Sequence, residues 1–313
     1  MAIVTLTINP ALDISTSVAE LVPEVKLRCE AERVEPGGGG INAARTITSL
    51  GGEVLALHCS GAETGQRLCV LLDEAGVEHR AIPVAWRTRE SFAVTERCTE
   101  RIFKFILPGP AVSGHEIEAI EAAVAGAIGP GDYVLASGSL PIGAPDDMYG
   151  RIAAIAADAG ARLMVDAHGP ALAGALGPKL FMIKPNWREF DTLVGRRRPL
   201  EDPARHESAL ELVAAGRAEV VVVTEAERGA FVATARGSFA IRPPAVEVIS
   251  PIGGGDAFAG AALLALSRGE PIAEACRLGA AAAAAAMGTV GTEPPAREDV
   301  ERILAGVELR ELS

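Results

Sequence analysis

Three short segments contain the residues of this sequence that are best suited to chemistry. The clearest is Gly253-Gly254-Gly255-Asp256, which leads into an apolar helical stretch. Consecutive glycines before a helix leave backbone N–H groups free to bind an anion. A carboxylate beside those amides could accept a proton from a substrate hydroxyl while the amides stabilise a transferring phosphoryl group. A simple helix cap at Asp256 explains the same spacing, so the residue types leave both interpretations open.

The second segment is the glycine run at residues 37–40, which precedes Asn42 at the start of a predicted helix. Without side chains a ligand can approach this backbone closely, and the helix amides and Asn42 would face it. A flexible turn entering a helix is the alternative. A dinucleotide fingerprint fits poorly, because the glycine spacing does not match and the run does not follow the first strand directly.

The third segment places Lys184, Asn186 and Glu189 directly after a short apolar strand at residues 181–183. Ligands bind at the carboxyl ends of strands in parallel α/β sheets. Asn186 and Glu189 are three residues apart, which would suit a hydrated Mg²⁺ and a phosphate group on one helix face. A capping box with Asn186 as cap and Glu189 as its partner explains this spacing equally well.

The elements that must position these segments alternate between strands and helices. Apolar runs predict buried parallel strands, at residues 3–8, 54–58, 133–136, 162–165, 181–183 and 219–224. Amphipathic or alanine-rich stretches predict helices, at residues 41–50, 65–75, 115–127, 146–157, 204–215, 257–267, 272–287 and 297–304. This alternation predicts a parallel sheet with helices on both faces.

Two stretches, residues 15–34 and 90–105, lack a helical period. Parts of them alternate between apolar and polar residues, as hairpin strands do. We therefore expect an inserted antiparallel flap beside the α/β body. Such a flap would have an edge or a face in need of cover, which a second copy of the chain could supply.

Composition excludes several classes of protein. The 313 residues include 29 basic and 41 acidic ones, and the net charge of −12 disfavours nucleic-acid binding. The charge-free run at residues 278–292 is too short and too rich in alanine and glycine to span a membrane. The N-terminus does not resemble a signal peptide, so we expect a cytoplasmic protein.

Five cysteines and five histidines are scattered, which indicates reduced thiols and predicts neither a zinc site nor a Ser-His-Asp hydrolase. A GxxxxGK[ST] phosphate-binding loop is absent.

In their order and separation, the three segments resemble the PfkB (ribokinase-like) family of carbohydrate kinases. The similarity covers essentially the whole chain and includes the Asn-Pro-Ala-Leu-Asp sequence at residues 9–13 and Ala-Ser-Gly-Ser-Leu-Pro at residues 136–141. The resemblance implies one α/β/α sandwich domain over residues 1–313, with a small β lid formed by about residues 13–35 and 87–107. It further implies a kinase that uses ATP and Mg²⁺ and dimerises through the lid.

The resemblance also assigns roles to individual residues. Asp256 matches the general base, and Gly253, Gly254 and Gly255 match the anion hole. Contacts to sugar hydroxyls match Asp13, Gly38, Gly39 and Asn42. The Mg²⁺ and nucleotide-phosphate motif matches Asn186 and Glu189 with Lys184 nearby, and the nucleotide loop matches Thr224 and Gly229. Many members hold a monovalent cation such as K⁺ by backbone carbonyls, which match the region of Ser250, Ile252 and Gly291.

Within the family, Arg89 and Lys104 match the phosphosugar branch, because a phosphate dianion needs cationic partners, and Ser139 adds a hydroxyl. The glycine at position 39 replaces a lysine that is usual in fructose-1-phosphate and tagatose-6-phosphate kinases. The resemblance therefore favours the minor 6-phosphofructokinase branch, with Lys26 at a contact shared between subunits. Alternatives are the two other phosphosugars, an uncharged sugar or nucleoside, a non-catalytic nucleotide- or sugar-binding regulator and, more distantly, a nicotinamide dehydrogenase.

Three positions depart from the family pattern. Gly254 replaces a usual alanine, which only adds backbone freedom. Pro251 stands where threonine is common and removes one backbone donor. Ala226 stands where glycine is usual in the nucleotide loop, so the preferred phosphoryl donor stays open.

Overall fold

The computed structural model describes residues 1–109, 111–177, 180–196 and 204–312. The strands in these residues are β1 (Ile3–Thr7), β2 (Ala11–Val18), β3 (Arg33–Gly37), β4 (Leu55–Ser60), β5 (His79–Pro83), β6 (Arg89–Glu96), β7 (Arg101–Ile106), β8 (Tyr133–Ser137), β9 (Arg162–Asp166), β10 (Met182–Ile183), β11 (Val220–Thr224), β12 (Ala230–Thr234), β13 (Gly237–Arg242) and β14 (Glu308–Leu312). The helices are α1 (Gly39–Ser49), α2 (Ala62–Glu74), α3 (Gly114–Ala125), α4 (Met148–Asp158), α5 (Gly169–Ala175), α6 (Trp187–Leu193), α7 (Ala204–Ala214), α8 (Gly254–Ser267), α9 (Ile272–Met287) and α10 (Arg297–Leu304).

The main sheet has the strand order β14-β13-β12-β11-β10-β9-β8-β1-β4-β5. Its strands from β11 to β5 in that order run parallel, as predicted, whereas β12, β13 and β14 extend it in antiparallel fashion. The predicted parallel sheet is therefore extended by an antiparallel edge that the prediction did not include. Sequence patterning missed β13 and β14 because they are partly exposed and lack the continuous apolar run that marks a buried strand. β12 is buried and was also missed.

Helices cover both faces of the main sheet and divide the core into two clusters. One cluster lies under α1, α2, α8, α9 and α10. The other lies under the helices from α3 to α7. Every residue of β1 is buried between them. The strand accordingly consists of three aliphatic residues and two buried threonines. The three-layer α/β/α arrangement predicted from the sequence is confirmed.

Helix α8, which follows the glycine turn at residues 253–255, packs closely against α1. A Cβ atom on Gly260 would lie 2.5 Å from the carbonyl oxygen of Ala43. Only a glycine allows the two backbones to approach to this distance. The first turns of α1 and α8 therefore meet at one end of the sheet.

A second sheet, with the order β3-β2-β6-β7, forms the lid. β2 pairs with β3 and β6 pairs with β7 in antiparallel fashion, but the central pair of β2 and β6 is parallel. The prediction of an antiparallel flap is therefore wrong for the central pair, and the flap is a mixed sheet. Its two antiparallel halves come from distant parts of the chain, which allows them to pair in parallel. Residues 19–32, within the predicted lid, form no strand.

None of the helices in the described ranges is long and apolar enough to cross a bilayer.

Gly260→Ala tests the close contact between α1 and α8. We expect it to lower the free energy of unfolding by about 1–2 kcal/mol, because a methyl group must push against a backbone carbonyl. Gly114→Ala is the matched control, since the same methyl group meets no atom within 4 Å at the start of α3. Urea unfolding of both variants measures the difference. Equal stability of the two variants would refute the tight contact.

Candidate active site

The structure brings Asp256 to the point where the first turns of α1 and α8 meet. Asp256 is the third residue of α8, and the cap of that helix is Gly253. The Asp256 carboxylate accepts a hydrogen bond of 2.9 Å from Asn42 Nδ2. A Cβ atom on Gly39 would lie 3.0 Å from the same carboxylate. The alternative of Asp256 as a helix cap is therefore wrong, and the two glycine-rich segments form one site.

Burial and neighbouring charges give Asp256 the protonation behaviour of a base that works near neutral pH. Burial raises its pKa to about 7, and the negative charge of Asp166 adds to the rise. The hydrogen bond from Asn42 and the Lys184 ammonium act in the opposite direction. A carboxylate with a pKa near the working pH can both take up and release a proton efficiently.

The start of α8 forms a cradle for an anion. Gly253 adopts a left-handed conformation, with φ of 81°, and no side chain caps this end of the helix. The first backbone N–H groups of a helix have no partner within it, so they face the opening. A Cβ atom on Gly255 would lie only 3.3 Å from Lys184 Nζ, which places an ammonium group beside these amides. Amides and ammonium together fit a phosphate group.

Lys184 is paired with Asp166, a residue that the sequence analysis missed. Lys184 Nζ lies 2.9 Å from Asp166 Oδ2, and both side chains are largely buried. Burial raises the pKa of Asp166, and the Lys184 charge opposes that rise. Asp166 is the last residue of β9, and Ser137, beside Gly39, is the last residue of β8. Their position at the carboxyl ends of adjacent parallel strands was the available signal.

Asn186 and Glu189 form the capping box of α6. Asn186 Oδ1 accepts hydrogen bonds from the backbone N–H groups of Arg188 and Glu189, while Glu189 Oε2 accepts one from the N–H of Asn186. The interpretation of Asn186 and Glu189 as a capping box is therefore confirmed. Glu189 Oε1 takes no part in this motif, so one carboxylate oxygen stays outside the capping box.

The predicted nucleotide loop follows β11. Thr224 forms an isolated bridge with Asn186, so the two predicted nucleotide segments are neighbours. The loop then turns through Ala226 and Gly229, and the N–H of Glu225 donates to the carbonyl of Gly229 at 2.7 Å. Ala226 has a φ of 51°, a left-handed conformation that costs an L-residue roughly 1–2 kcal/mol. This strain explains why a glycine is usual here.

A cavity of about 240 Å³ lies between the lid and the main body. Its lining includes Asp13, Gly38, Arg89, Lys104, Ile252 and Gly291. Burial raises the pKa of Asp13 to about 6, Arg89 counteracts that rise, and Glu35 adds to it. A carboxylate and two cations in one small cavity suit a polar, negatively charged ligand.

The two cations of this cavity are partly removed from water. Burial lowers the pKa of Arg89 and of Lys104, and the Asp13 carboxylate partly offsets both shifts. Arg89 Nη2 donates to the carbonyl of Asn9 at 3.2 Å, whereas its Nε is buried without a hydrogen-bond partner among the described residues. Asn9 Nδ2 also donates to Ser139 Oγ at 3.1 Å, so Ser139 joins this group.

The residues predicted to hold a monovalent cation lie together at the same cavity. Ser250 Oγ donates to the carbonyl of Gly291 at 3.2 Å, and Ile252 and Gly291 both line the cavity. Lys26 is different, because it lies exposed between β2 and β3 and does not line this cavity of its own chain.

A buried ion pair that the sequence analysis missed links the lid to the segment around Gly291. Arg45 Nη2 lies 3.2 Å from Glu35 Oε1, and Arg45 Nη1 donates to the carbonyl of Thr292 at 3.0 Å. Glu35 belongs to β3 and Arg45 to α1, so one guanidinium connects lid, body and loop. Nothing in the sequence pattern distinguishes this pair from surface charges.

A larger cleft of about 1080 Å³ lies at the opposite end of the sheet. It is lined by residues at the amino ends of parallel strands, among them Tyr133, Arg162 and Glu219. None of the predicted site residues reaches it. The larger volume of this cleft therefore does not mark the candidate active site, because ligands of parallel α/β sheets bind at the carboxyl ends of the strands.

Comparison with known proteins agrees with this geometry. The family model for pfkB family carbohydrate kinases matches residues 6–299. ATP-dependent 6-phosphofructokinase isozyme 2 of Mycobacterium tuberculosis is 43% identical over 300 residues, which cover 96% of this chain and 88% of the relative. The 1-phosphofructokinase of Rhodobacter capsulatus is 29% identical over 313 residues, covering 100% of this chain and 98% of the relative.

The crystal structure of phosphofructokinase-2 from Escherichia coli in complex with fructose-6-phosphate matches with a TM-score of 0.90 and 34% identity, covering 97% of this chain and 98% of that one. The same Escherichia coli enzyme has been solved in complex with potassium and in a tetrameric inhibited form. The fold, the site and these similarities agree, and the chain belongs to the pfkB family of carbohydrate kinases, as a phosphofructokinase-type sugar kinase that transfers a phosphoryl group to an alcohol.

Proposed function

We propose that the chain transfers the γ-phosphoryl group of ATP to the C1 hydroxyl of fructose 6-phosphate, which yields fructose 1,6-bisphosphate and ADP. The observation that carries this proposal is the cavity lined by Asp13, the half-buried Arg89 and the more exposed Lys104. A phosphate dianion would pair with the two cations, and a sugar hydroxyl would bond to Asp13. The 43% identity to a 6-phosphofructokinase supports the same acceptor.

Asp256 supplies the base in this proposal. The sugar hydroxyl would lie between the Asp256 carboxylate and the terminal phosphoryl group bound at the amides of the residue 253–255 turn. Asp256 takes the hydroxyl proton as the oxygen attacks phosphorus, and the amides with Lys184 stabilise the charge on the transferring group. Gly38, Gly39 and Asn42 would contact the sugar, with Ser139 at its phosphate end.

ATP and Mg²⁺ are used by sugar kinases of this family. The nucleotide phosphates would bind near Lys184, Asn186 and Glu189, with Thr224 and Gly229 in the adjoining loop. The remaining carboxylate oxygen of Glu189 fits Mg²⁺ held through water, since this ion keeps several waters and is bound mainly by substrate phosphates. Bound Mg²⁺ would neutralise charge on those phosphates.

A monovalent cation, K⁺ in the first instance, would bind to backbone carbonyls around Ser250, Ile252 and Gly291. Two observations support this site. Ser250 and Gly291 are joined by a hydrogen bond beside the glycine turn. The Escherichia coli relative has been solved in complex with potassium.

Fructose 1-phosphate is the second candidate acceptor, because a relative of similar length carries the name 1-phosphofructokinase. A panel of fructose 6-phosphate, fructose 1-phosphate, tagatose 6-phosphate and unphosphorylated fructose, read by ADP release, separates the candidates. We expect the highest kcat/KM with fructose 6-phosphate. A higher value with any other acceptor would overturn the proposed substrate.

Asp256→Asn tests the base. We expect kcat to fall by roughly 10²–10⁴-fold, with KM for fructose 6-phosphate nearly kept, because asparagine preserves the size and the bond to Asn42 but cannot take the proton. Coupled ADP release measures both constants. Wild-type turnover in this variant would remove Asp256 from its role.

The pH profile is an internal control for the same role. Since the raised pKa of Asp256 is about 7, kcat/KM of the wild type should rise with pH up to about pH 7 and level off above it. The residual activity of Asp256→Asn should lack this step. A wild-type profile that is flat between pH 5 and pH 8 would show that the base titrates elsewhere.

Arg89→Ala tests recognition of the acceptor's phosphate. We expect KM for fructose 6-phosphate to rise by roughly 10–100-fold, because a charge-assisted bidentate contact is lost, while any activity on unphosphorylated fructose stays unchanged. Arg87→Ala is the matched control, since Arg87 is 61% exposed and pairs with Glu90. Equal losses on both sugars would show that Arg89 only supports the lid.

We also propose a homodimer formed through the lid, with Lys26 at a contact shared between the two subunits. The support is an apolar face on β7, where Phe105 is 51% exposed. Phe105→Glu should shift the sedimentation coefficient to that of a monomer, because two such faces would place charges against each other. Val70→Glu, at an exposed position of α2, is the control. A monomeric wild type would refute the dimer.

A further inference from the structure

Three potential metal ligands come together outside the active site. His58 lies on β4, His79 on the neighbouring β5, and Cys69 on α2, which covers both strands. One ring nitrogen of each histidine and Cys69 Sγ all lie within 4.8 Å of one another. The sequence analysis predicted no zinc site, because these residues are ten or more positions apart and match no metal-ligand spacing. Parallel strand pairing and the helix crossover bring them together.

The outer contact of each imidazole favours one tautomer of its ring. His58 Nδ1 lies 3.2 Å from the carbonyl oxygen of Cys59, which can only accept a hydrogen bond. His79 Nε2 lies 3.3 Å from Asp73 Oδ1, a carboxylate that also accepts. These contacts favour the tautomers in which both outer nitrogens carry the proton. The inner nitrogens, His58 Nε2 and His79 Nδ1, then present lone pairs to each other across 3.0 Å.

The pair has one proton too few for these contacts. Two neutral imidazoles carry two ring protons, whereas the contacts to Cys59, to Asp73 and between the rings require three. A third proton would place a positive charge on the pair. A metal ion placed between the inner nitrogens would bind both lone pairs without a third ring proton.

We propose that His58, His79 and Cys69 bind a Zn²⁺ ion through two imidazole nitrogens and one thiolate, with water as the fourth ligand. Imidazole and thiolate ligands favour zinc over Mg²⁺. Zinc–nitrogen bonds of about 2.0–2.1 Å in a tetrahedral site separate two nitrogens by about 3.3 Å, so the rings need to move by only a few tenths of an ångström. The Cys69 S–H bond breaks on binding, its sulfur bonds to zinc, and the proton leaves to solvent.

The surrounding contacts match those of known metal-bound histidines. A ligating imidazole usually donates its other N–H to a carbonyl or a carboxylate, which orients the ring. Cys59 serves His58 in this way, and Asp73 serves His79. The zinc would cross-link β4 and β5 to α2. Thr64 of α2 donates a hydrogen bond of 2.7 Å from its Oγ1 to the carbonyl of Thr88, the residue before Arg89. The cross-link would therefore also stabilise the start of lid strand β6.

Metal binding to the full-length protein, stripped of metal and held in excess Mg²⁺ to occupy the carboxylates of the active site, tests the proposal. Titration with Co²⁺ should produce a thiolate-to-cobalt charge-transfer band at one equivalent per chain, and Zn²⁺ should displace it. Cys69→Ser should abolish the band and weaken Zn²⁺ binding by roughly 100-fold or more, and Asp73→Asn should weaken it by roughly 10-fold.

Two controls keep the result decisive. Cys98→Ser removes an exposed thiol at the end of the lid strands and should leave the band and the affinity unchanged. Asp73 is 75% exposed, so Asp73→Asn should fold normally and report on the site even if another variant does not. The proposal is overturned if Cys69→Ser keeps the wild-type affinity, or if the cobalt spectrum contains no thiolate band. Neither outcome bears on the kinase assignment, since these residues lie outside the active site.

Discussion

The hydrogen bond from Asn42 to the Asp256 carboxylate joins the first turns of two helices, and the active site depends on it. It orients the acidic group at the cradle of amides and holds it there without ion pairing. A direct ion pair would stabilise the charged form more strongly and lower the pKa of Asp256. A neutral amide partner leaves burial and Asp166 as the dominant influences, so the carboxyl group keeps a pKa near 7.

Burying carboxyl groups in the lid sheet and at the end of the main sheet costs stability. The pKa values of Asp13, Asp166 and Asp256 are all raised in the folded state, so folding favours their protonated forms. For Asp256 the stabilising contribution is complete below about pH 4 and is lost as the pH rises toward 7. The three carboxyl groups therefore lower the free energy of unfolding at neutral pH. Lys184, Arg89 and Lys104 offset part of this cost, and phosphate ligands would bring charge that these cations can bind.

The lid is connected to the body by charge as well as by strand pairing. Arg45 in α1 contacts Glu35 in β3 and the carbonyl of Thr292. Both side chains are buried, so removing Glu35 would take away the carboxylate partner of a guanidinium in the interior, whereas Glu35 also has an ion pair with Arg33. The pair thus links the position of the lid to the loop that carries Gly291.

The sequence by itself determined the alternation of strands and helices and the three segments that were candidates for a site. Those features follow from local patterns: apolar runs for β1 and β11, glycines before α1 and α8, and polar residues after β10. Local patterns could not reveal Asp166, the Glu35–Arg45 pair or the antiparallel edge, because each depends on which distant segments become neighbours. The same reason hid the cluster of His58, Cys69 and His79. Only the tertiary structure decided these, since distances between ligands and the burial that shifts a pKa arise from packing across the sheet and not from spacing along the chain.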